Sequence, residues 1–229
     1  MRVTKYSSDV SDTGLLSELF RARIRDRSAT NSTVKRARHQ TLYMAGDRDD
    51  WLLYLIESGR IKTLMVSGAG KECLLGIFTG GDVIGESALL DHERSESAVA
   101  MVSSVLRPIH RVQFMEVLTD YALREEWLRH LTLRLAEQQQ VITSMVTADT
   151  ERRLGATLLR LGRKLGTAQA DQFRIEQRIT QEELAGMVGT TRSRVGYFLK
   201  RFRQRGLIES TPDGLLIVRE PDMAAYVEA

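Results

Sequence analysis

The chain has 229 residues, enough for two domains of ordinary size, and its 42% hydrophobic and 28% charged content is that of a soluble globular protein. A single cysteine, Cys73, excludes an intrachain disulfide framework and a cysteine-ligated cluster within one chain. The formal charge of +3 is unevenly spread: residues 150–229 hold 14 Lys+Arg against 10 Asp+Glu, while residues 1–149 hold 19 against 20, so a polyanion suits the C-terminal part. The opening Met1-Arg2-Val3-Thr4-Lys5-Tyr6-Ser7-Ser8 leads into no apolar run, so no signal peptide is expected. No stretch is long and apolar enough to span a membrane, and the expected location is the cytoplasm.

Residues 13–28 read as an amphipathic helix, with Leu15, Leu16, Leu19, Phe20 and Ile24 on one side and arginines opposite. From about residue 33 to 110, short β-like runs alternate with turn residues. Thr41–Met44, Leu52–Ile56, Ile61–Val66 and Leu74–Phe78 are each followed by a glycine-containing turn. This even spacing suggests a β-roll or barrel. Cys73 falls in one of these strands and reads as a small core residue. His39, His92, His110 and His130 show no metal-ligand spacing, so no metal site is expected.

A long helix is predicted from about Val112 to Val146. Leu128, Leu131, Leu135, Ile142 and Met145 recur on alternating steps of three and four residues, which is a coiled-coil seam. Gln138 fills the missing step; it reads equally as a register-setting polar residue and as a ligand contact at a dimer interface. Another helix opens at Thr150-Glu151-Arg152-Arg153-Leu154 and ends near Gly166, and residues 168–172 look like a loop.

The segment Ile179–Ile208 has the pattern of a helix-turn-helix. Thr180 and Glu183 are spaced as a capping box, Gly189 can take the positive φ that ends the first helix, and Thr191 can cap the second. In that second helix Val195, Phe198, Leu199 and Phe202 form an apolar stripe. Arg192, Ser193, Arg194 and Tyr197 lie off the stripe or at its margin, near the end that reaches base edges. Arg192, Arg194, Lys200, Arg201, Arg203 and Arg205 give the helix six basic residues and no acidic one between 192 and 205. A plain solvated αα-hairpin would not need such one-sided charge. The DNA-contact candidates are Thr180, Gln181, Thr190, Thr191, Arg192, Ser193, Arg194, Tyr197, Lys200 and Arg201. Pro212-Asp213-Gly214 is a turn between two short strands, which makes a wing suited to phosphate backbone.

The order of β-roll, long dimer helix and winged helix-turn-helix, with the residues just quoted, resembles the Crp/Fnr family of bacterial transcription regulators from about residue 30 to 218. The resemblance implies an α+β fold with three parts: a jelly-roll-like β-roll sensor domain of the cyclic-nucleotide-binding type over 1–111, a dimerisation helix over 112–148, and a winged helix-turn-helix over 149–229. The run Gly81-Asp82-Val83-Ile84-Gly85-Glu86-Ser87-Ala88-Leu89-Leu90 looks like the start of the family's phosphate-binding cassette. In cyclic-AMP-binding members the cassette glutamate accepts from the ribose 2′-hydroxyl, and an arginine with backbone amides holds the cyclic phosphate. By resemblance the effector residues would be Gly85, Glu86, Ser87, Ala88, Arg94, Ser95, Ser97 and Ala98, joined by Arg134, Gln138 and Gln139 of the dimer helix.

The cassette match is partial. With Ser97-Ala98 in the family's hydroxyl–alanine place, Glu96 stands where the arginine belongs, and a carboxylate there repels a phosphate. With Arg94 aligned instead, the loop is short. Gln138-Gln139 occupy the place of the Thr-Ser pair that cyclic-AMP binders set against adenine, whereas Arg134 matches a family arginine that braces the cassette glutamate. A cyclic nucleotide, cyclic di-GMP, or no ligand all stay open. The single cysteine excludes the family's iron–sulfur type, and Cys73 with His92 makes a poor haem site.

The resemblance further implies partners: palindromic double-stranded DNA, a second copy of the chain, and RNA polymerase. A ligand touching roll and dimer helix would act on a hinge near Val146–Thr150. Arg192 can fork onto guanine O6 and N7. Ser193 and Tyr197 stand where well-known members carry glutamate and arginine, so an operator unlike the TGTGA or TTGAT half-sites is expected. A rival reading is a constitutive DNA binder whose roll is only a scaffold or protein-interaction module. No nucleophile–base pair, metal cluster or P-loop appears, and no enzymatic activity is expected.

Overall fold

The structure, a computed structural model, describes residues 32–229 apart from 49, 50, 69, 71, 91 and 92. The helix expected over 13–28 lies outside the described residues. Two compact units result, one holding the chain up to Met65 with Gly76–Leu133, the other Val66–Leu75 with Arg134–Ala229.

The first unit is a β-roll. Its strands are β1 (Val34–Arg36), β2 (Thr41–Tyr43), β3 (Leu52–Ser58), β4 (Arg60–Val66), β5 (Glu72–Thr79), β6 (Val83–Ile84), β7 (Ser97–Ala100) and β8 (Ser104–His110). They form two four-stranded sheets, ordered β1-β8-β3-β6 and β2-β7-β4-β5. Strand β3 shows why its sequence is apolar at nearly every position. Side chains alternate across a strand, and both faces of β3 are covered. Tyr54 and Ile56 join Tyr43, Ile61, Phe78, Ala98 and Leu106 in one cluster. Leu53 and Leu55 join Ile109, Phe114, Val117, Leu123 and Trp127 in another. Arg107 and Glu57 form a shielded ion pair at 2.8 Å.

Two helices replace the single one predicted from Val112. Helix α1 (Arg111–Val117) ends at Leu118, and α2 (Tyr121–Thr147) begins after Asp120. Asp120 Oδ1 accepts from the amides of Ala122 and Leu123 at 3.1 and 3.3 Å. A side chain that caps a new helix breaks the old one without breaking the apolar periodicity. Cys73 is also placed differently from expectation: it is exposed. The hairpin of β4 and β5 has exposed residues at its outer end, including Met65, Val66, Glu72 and Cys73, so strand membership there does not mean burial.

The second unit begins with the rest of α2 and continues through α3 (Thr150–Leu165), β9 (Gly166–Gln169), β10 (Gln172–Ile175), α4 (Gln181–Val188), α5 (Arg192–Gln204), β11 (Ile208–Ser210), β12 (Leu216–Arg219) and α6 (Glu220–Glu228). The sheet order is β11-β12-β10-β9. The loop expected over 168–172 is a tight hairpin turn instead, with Ala170 at φ 50°. Asp149 caps α3 by accepting from Arg152 N at 2.9 Å. Helix α6 follows the wing and was not foreseen, although Glu220-Pro221-Asp222 is a sound helix start. Leu154, Leu158, Val195, Phe202, Val218 and Met223 are the buried centre of this unit. No helix among the described residues is long and apolar enough to cross a membrane.

Candidate DNA-binding surface and effector cassette

The turn between α4 and α5 is built as the sequence dictates. Thr180 Oγ1 accepts from Glu183 N at 3.1 Å, and Glu183 Oε2 accepts from Thr180 N at 2.9 Å, closing the capping box. Gly189 ends α4 at φ 71°, a left-handed conformation that a side chain would strain. Thr191 caps α5, its Oγ1 accepting from Arg194 N at 3.4 Å. Val195, Phe198, Leu199 and Phe202 are buried beneath α5.

That burial leaves the opposite strip to solvent. Arg192, Ser193, Arg194 and Lys200 are exposed, and Tyr197 is 58% exposed. Thr180, Gln181 and Thr191 are exposed beside them, and Thr190 is half-buried. Three cations of the helix are engaged within the protein. Arg201 pairs with Glu151 at 2.7 Å, Arg203 Nε donates to Ser210 Oγ at 3.1 Å, and Arg205 lies over the Tyr226 ring at 5.1 Å. The sequence alone does not separate these from Arg192 and Arg194, because their partners come from distant elements.

The wing adds a residue that sequence reading passed over. Exposed Arg178 has its Nε only 3.7 Å from where a Cβ on Gly214 would stand, so it flanks the wing turn. A basic residue just before the N-cap Thr180 is the signal that marks it. The turn is pinned by Thr211, whose Oγ1 accepts from Leu215 N at 2.9 Å. A hydrogen bond from Thr211 also holds the Asp213 carboxyl below its ordinary range.

The cassette lies in the first unit. Glu86–Leu89 make a 3-10 turn behind Gly85, whose φ is 84°. A Cβ on Gly85 would stand 2.8 Å from Arg94 Nη1, so this position serves both a left-handed backbone and the approach of the arginine. Arg94 is 3% exposed. Its Nη1 donates to Gly85 O at 3.0 Å, its Nη2 donates to Leu52 O, and its guanidinium covers the Tyr43 ring at 4.3 Å. Glu96 accepts from the Tyr43 hydroxyl at 3.2 Å and from Ser95 Oγ. Burial first, then the Glu96 carboxylate, pushes the Tyr43 phenol far above its ordinary range. Ser97 Oγ accepts from Ala45 N at 2.9 Å, and Ala98 is fully buried.

Gly85, Arg94 and the Glu96 carboxylate thus belong to one knot, fastened by Tyr43, which sequence reading did not single out. Ser87 and Ala88 sit in the adjoining turn, with Ala88 buried and Glu86 half-buried. Arg134, Gln138 and Gln139 fall in the second unit, on α2, the first half-buried and the others exposed. An anion entering this cassette must compete with backbone carbonyls for the Arg94 donors and meet the charge of Glu96.

Residues 33–121 match the cyclic nucleotide-binding domain and residues 152–226 match the Crp-like helix-turn-helix domain. The chain is 30% identical over 182 residues to the CRP-like cAMP-activated global transcriptional regulator of Mycobacterium tuberculosis, covering 79% of this chain and 81% of that protein. Its fold is similar to that of a CRP/FNR-family transcriptional regulator from Thermus thermophilus, with TM-score 0.71 and 23% identity, covering 86% of this chain and 99% of that one. A third similarity is to CLP, the c-di-GMP responsive global regulator of Xanthomonas campestris, with TM-score 0.67 and 20% identity, covering 90% and 99%. At these identities the two solved structures speak for the fold alone.

Proposed function

The chain belongs to the Crp/Fnr family of transcription regulators, and from that premise we propose that it acts as a homodimer reading a two-fold-symmetric operator. Arg192, Ser193, Arg194 and Tyr197 meet base edges in this reading, while Lys200, Thr180, Gln181 and Arg178 face phosphates. The observation that carries it is the capped helix α5, whose exposed strip is basic and free of carboxylates. Pairing runs along α2, where Leu128, Leu131, Leu135, Ile142 and Met145 stand between 37% and 62% exposed. Two reading helices then fall one helical turn of DNA apart, ~34 Å. The protein works by binding in the cytoplasm, with RNA polymerase as its further partner, and catalyses nothing. Selection from a random duplex library tests this: an enriched palindrome supports the dimeric reader, and no enrichment over the starting pool sinks it.

Effector control at the roll has two versions. In the first, a cyclic nucleotide binds the cassette and shifts the hinge between α2 and α3, which requires unequal affinity for two conformations. The second, favoured by the engagement of Arg94 with Gly85 O, Leu52 O and Tyr43, is operator binding without any nucleotide. Calorimetric titration with cyclic AMP, cyclic GMP and cyclic di-GMP decides between them. Saturable heat at one site per protomer supports the first; no heat, with operator binding by the ligand-free protein, supports the second.

A further inference from the structure

Glu151 opens α3 and is almost wholly buried, yet it reaches the recognition helix. Its Oε2 accepts from Arg201 Nη1 at 2.7 Å, with the two side chains 11% and 34% exposed. At 3.6 residues per turn, Arg201 lies two turns beyond Arg194 on the same flank of α5, next to the exposed strip. Without Glu151 it would join the cations facing a DNA backbone. Arg201 also stands 5.8 Å from the ring centre of Tyr197, a base-contact candidate.

Helix α6 closes this corner from behind. The Tyr226 ring packs edge-on against Phe202 at 5.6 Å and lies under Arg205. Burial, then a hydrogen bond to Glu151 and the charge of Glu151, raise the phenol above its ordinary range. An ion pair walled off this way is screened less than a surface pair.

We propose that Glu151 is a specificity-determining residue that acts by position: it holds Arg201 off the DNA phosphates and keeps the guanidinium beside Tyr197. Phosphate contacts raise affinity for every sequence alike, whereas base contacts discriminate. An arginine withdrawn from phosphate therefore lowers non-specific binding and leaves discrimination to the exposed strip. This inference rests on the DNA-binding reading above.

The test is the salt dependence of binding to a random-sequence duplex, measured with the full chain. Each released phosphate contact adds about 0.9 to the slope of log affinity against log salt. Glu151→Gln should steepen the slope by about that amount and raise non-specific affinity ~8-fold at 0.1 M salt. Arg201→Met should leave the slope as it is, and the double variant should return it to the wild-type value. Glu182→Gln removes an exposed carboxylate near the reading helix and measures the general effect of a lost negative charge. A merely structural role for Glu151 would lower the melting temperature and weaken binding without steepening the slope. An unchanged slope in Glu151→Gln, a change no larger than that of Glu182→Gln, or a slope reduced by Arg201→Met each overturns the proposal. A wild-type protein with no salt-dependent DNA binding would instead overturn the DNA-binding reading itself.

Discussion

Arg192 and Arg94 are both arginines marked as candidates by sequence, and their surroundings give them opposite expectations. Arg192 is exposed at the start of α5, with its guanidinium available to a guanine edge. Arg192→Ala should cost ~1–3 kcal/mol of operator affinity and relax preference at one base pair. Affinities measured across a set of single-base operator variants check this; an equal loss on every variant would make Arg192 a phosphate contact. Arg94 is buried and satisfies the carbonyls of Gly85 and Leu52. Arg94→Met should destabilise the ligand-free roll by roughly 2–4 kcal/mol, because buried acceptors lose their donors. Urea unfolding reads this directly, and unchanged stability would return Arg94 to the role of a waiting effector contact. The difference was only half legible. The capping residues Thr180, Glu183, Gly189 and Thr191 act within a few residues of themselves, so spacing alone reveals them. Tyr43 fastens Arg94 and Glu96 from more than fifty positions away, and no local pattern announces that.

At the scale of elements, the seam of α2 was readable because coiled-coil geometry repeats along one helix. Leu135 is 60% exposed and Ile142 62% exposed, which is a heavy apolar load for a surface helix left alone. Leu135→Asp should give a monomer at micromolar concentration, and operator affinity should fall ~100-fold as linked binding to two half-sites is lost. Sedimentation equilibrium checks the mass; a dimer that persists places the interface elsewhere. Gln138→Leu should raise the melting temperature of the dimer, since a polar residue at a seam position trades stability for register. The break at Leu118–Asp120 escaped sequence reading because the apolar residues on both sides keep helical spacing, while Asp120 supplies the stop. Strands β9 and β10 escaped because four residues each carry too little alternation to stand out from a loop. Helix α6 escaped because its buried residue is Met223 alone, so its amphipathic signal is weak.

For the whole molecule the question is how the end of the dimer helix controls a reading head, and Arg153 supplies a physical link within the second unit. Its Nη1 donates to Ala148 O at 2.8 Å and Met145 O at 3.4 Å, carbonyls at the C-terminal end of α2. Its Nη2 donates to Thr150 Oγ1 at 3.2 Å, and its Nε to Val188 O at 3.3 Å, at the end of α4. The last carbonyls of a helix lack intrahelical donors and carry partial negative charge, so one guanidinium binds two helix ends across the hinge. The order of roll, helix and reading head was legible from the sequence, but this link was not, since Arg153 reads there as one more arginine on an amphipathic helix. Arg153→Gln should loosen the direction of α4 and α5 relative to α2 while leaving each α5 intact. A single half-site would then bind as before, because one head meets it alone. A full operator needs both heads in register, and its advantage over the half-site should shrink ~10-fold or more. Titrating wild-type and variant protein with half-site and full-operator duplexes separates these cases. Equal losses on both duplexes would mean that Arg153 supports the head itself, and no loss on either would mean that the hinge is held without it.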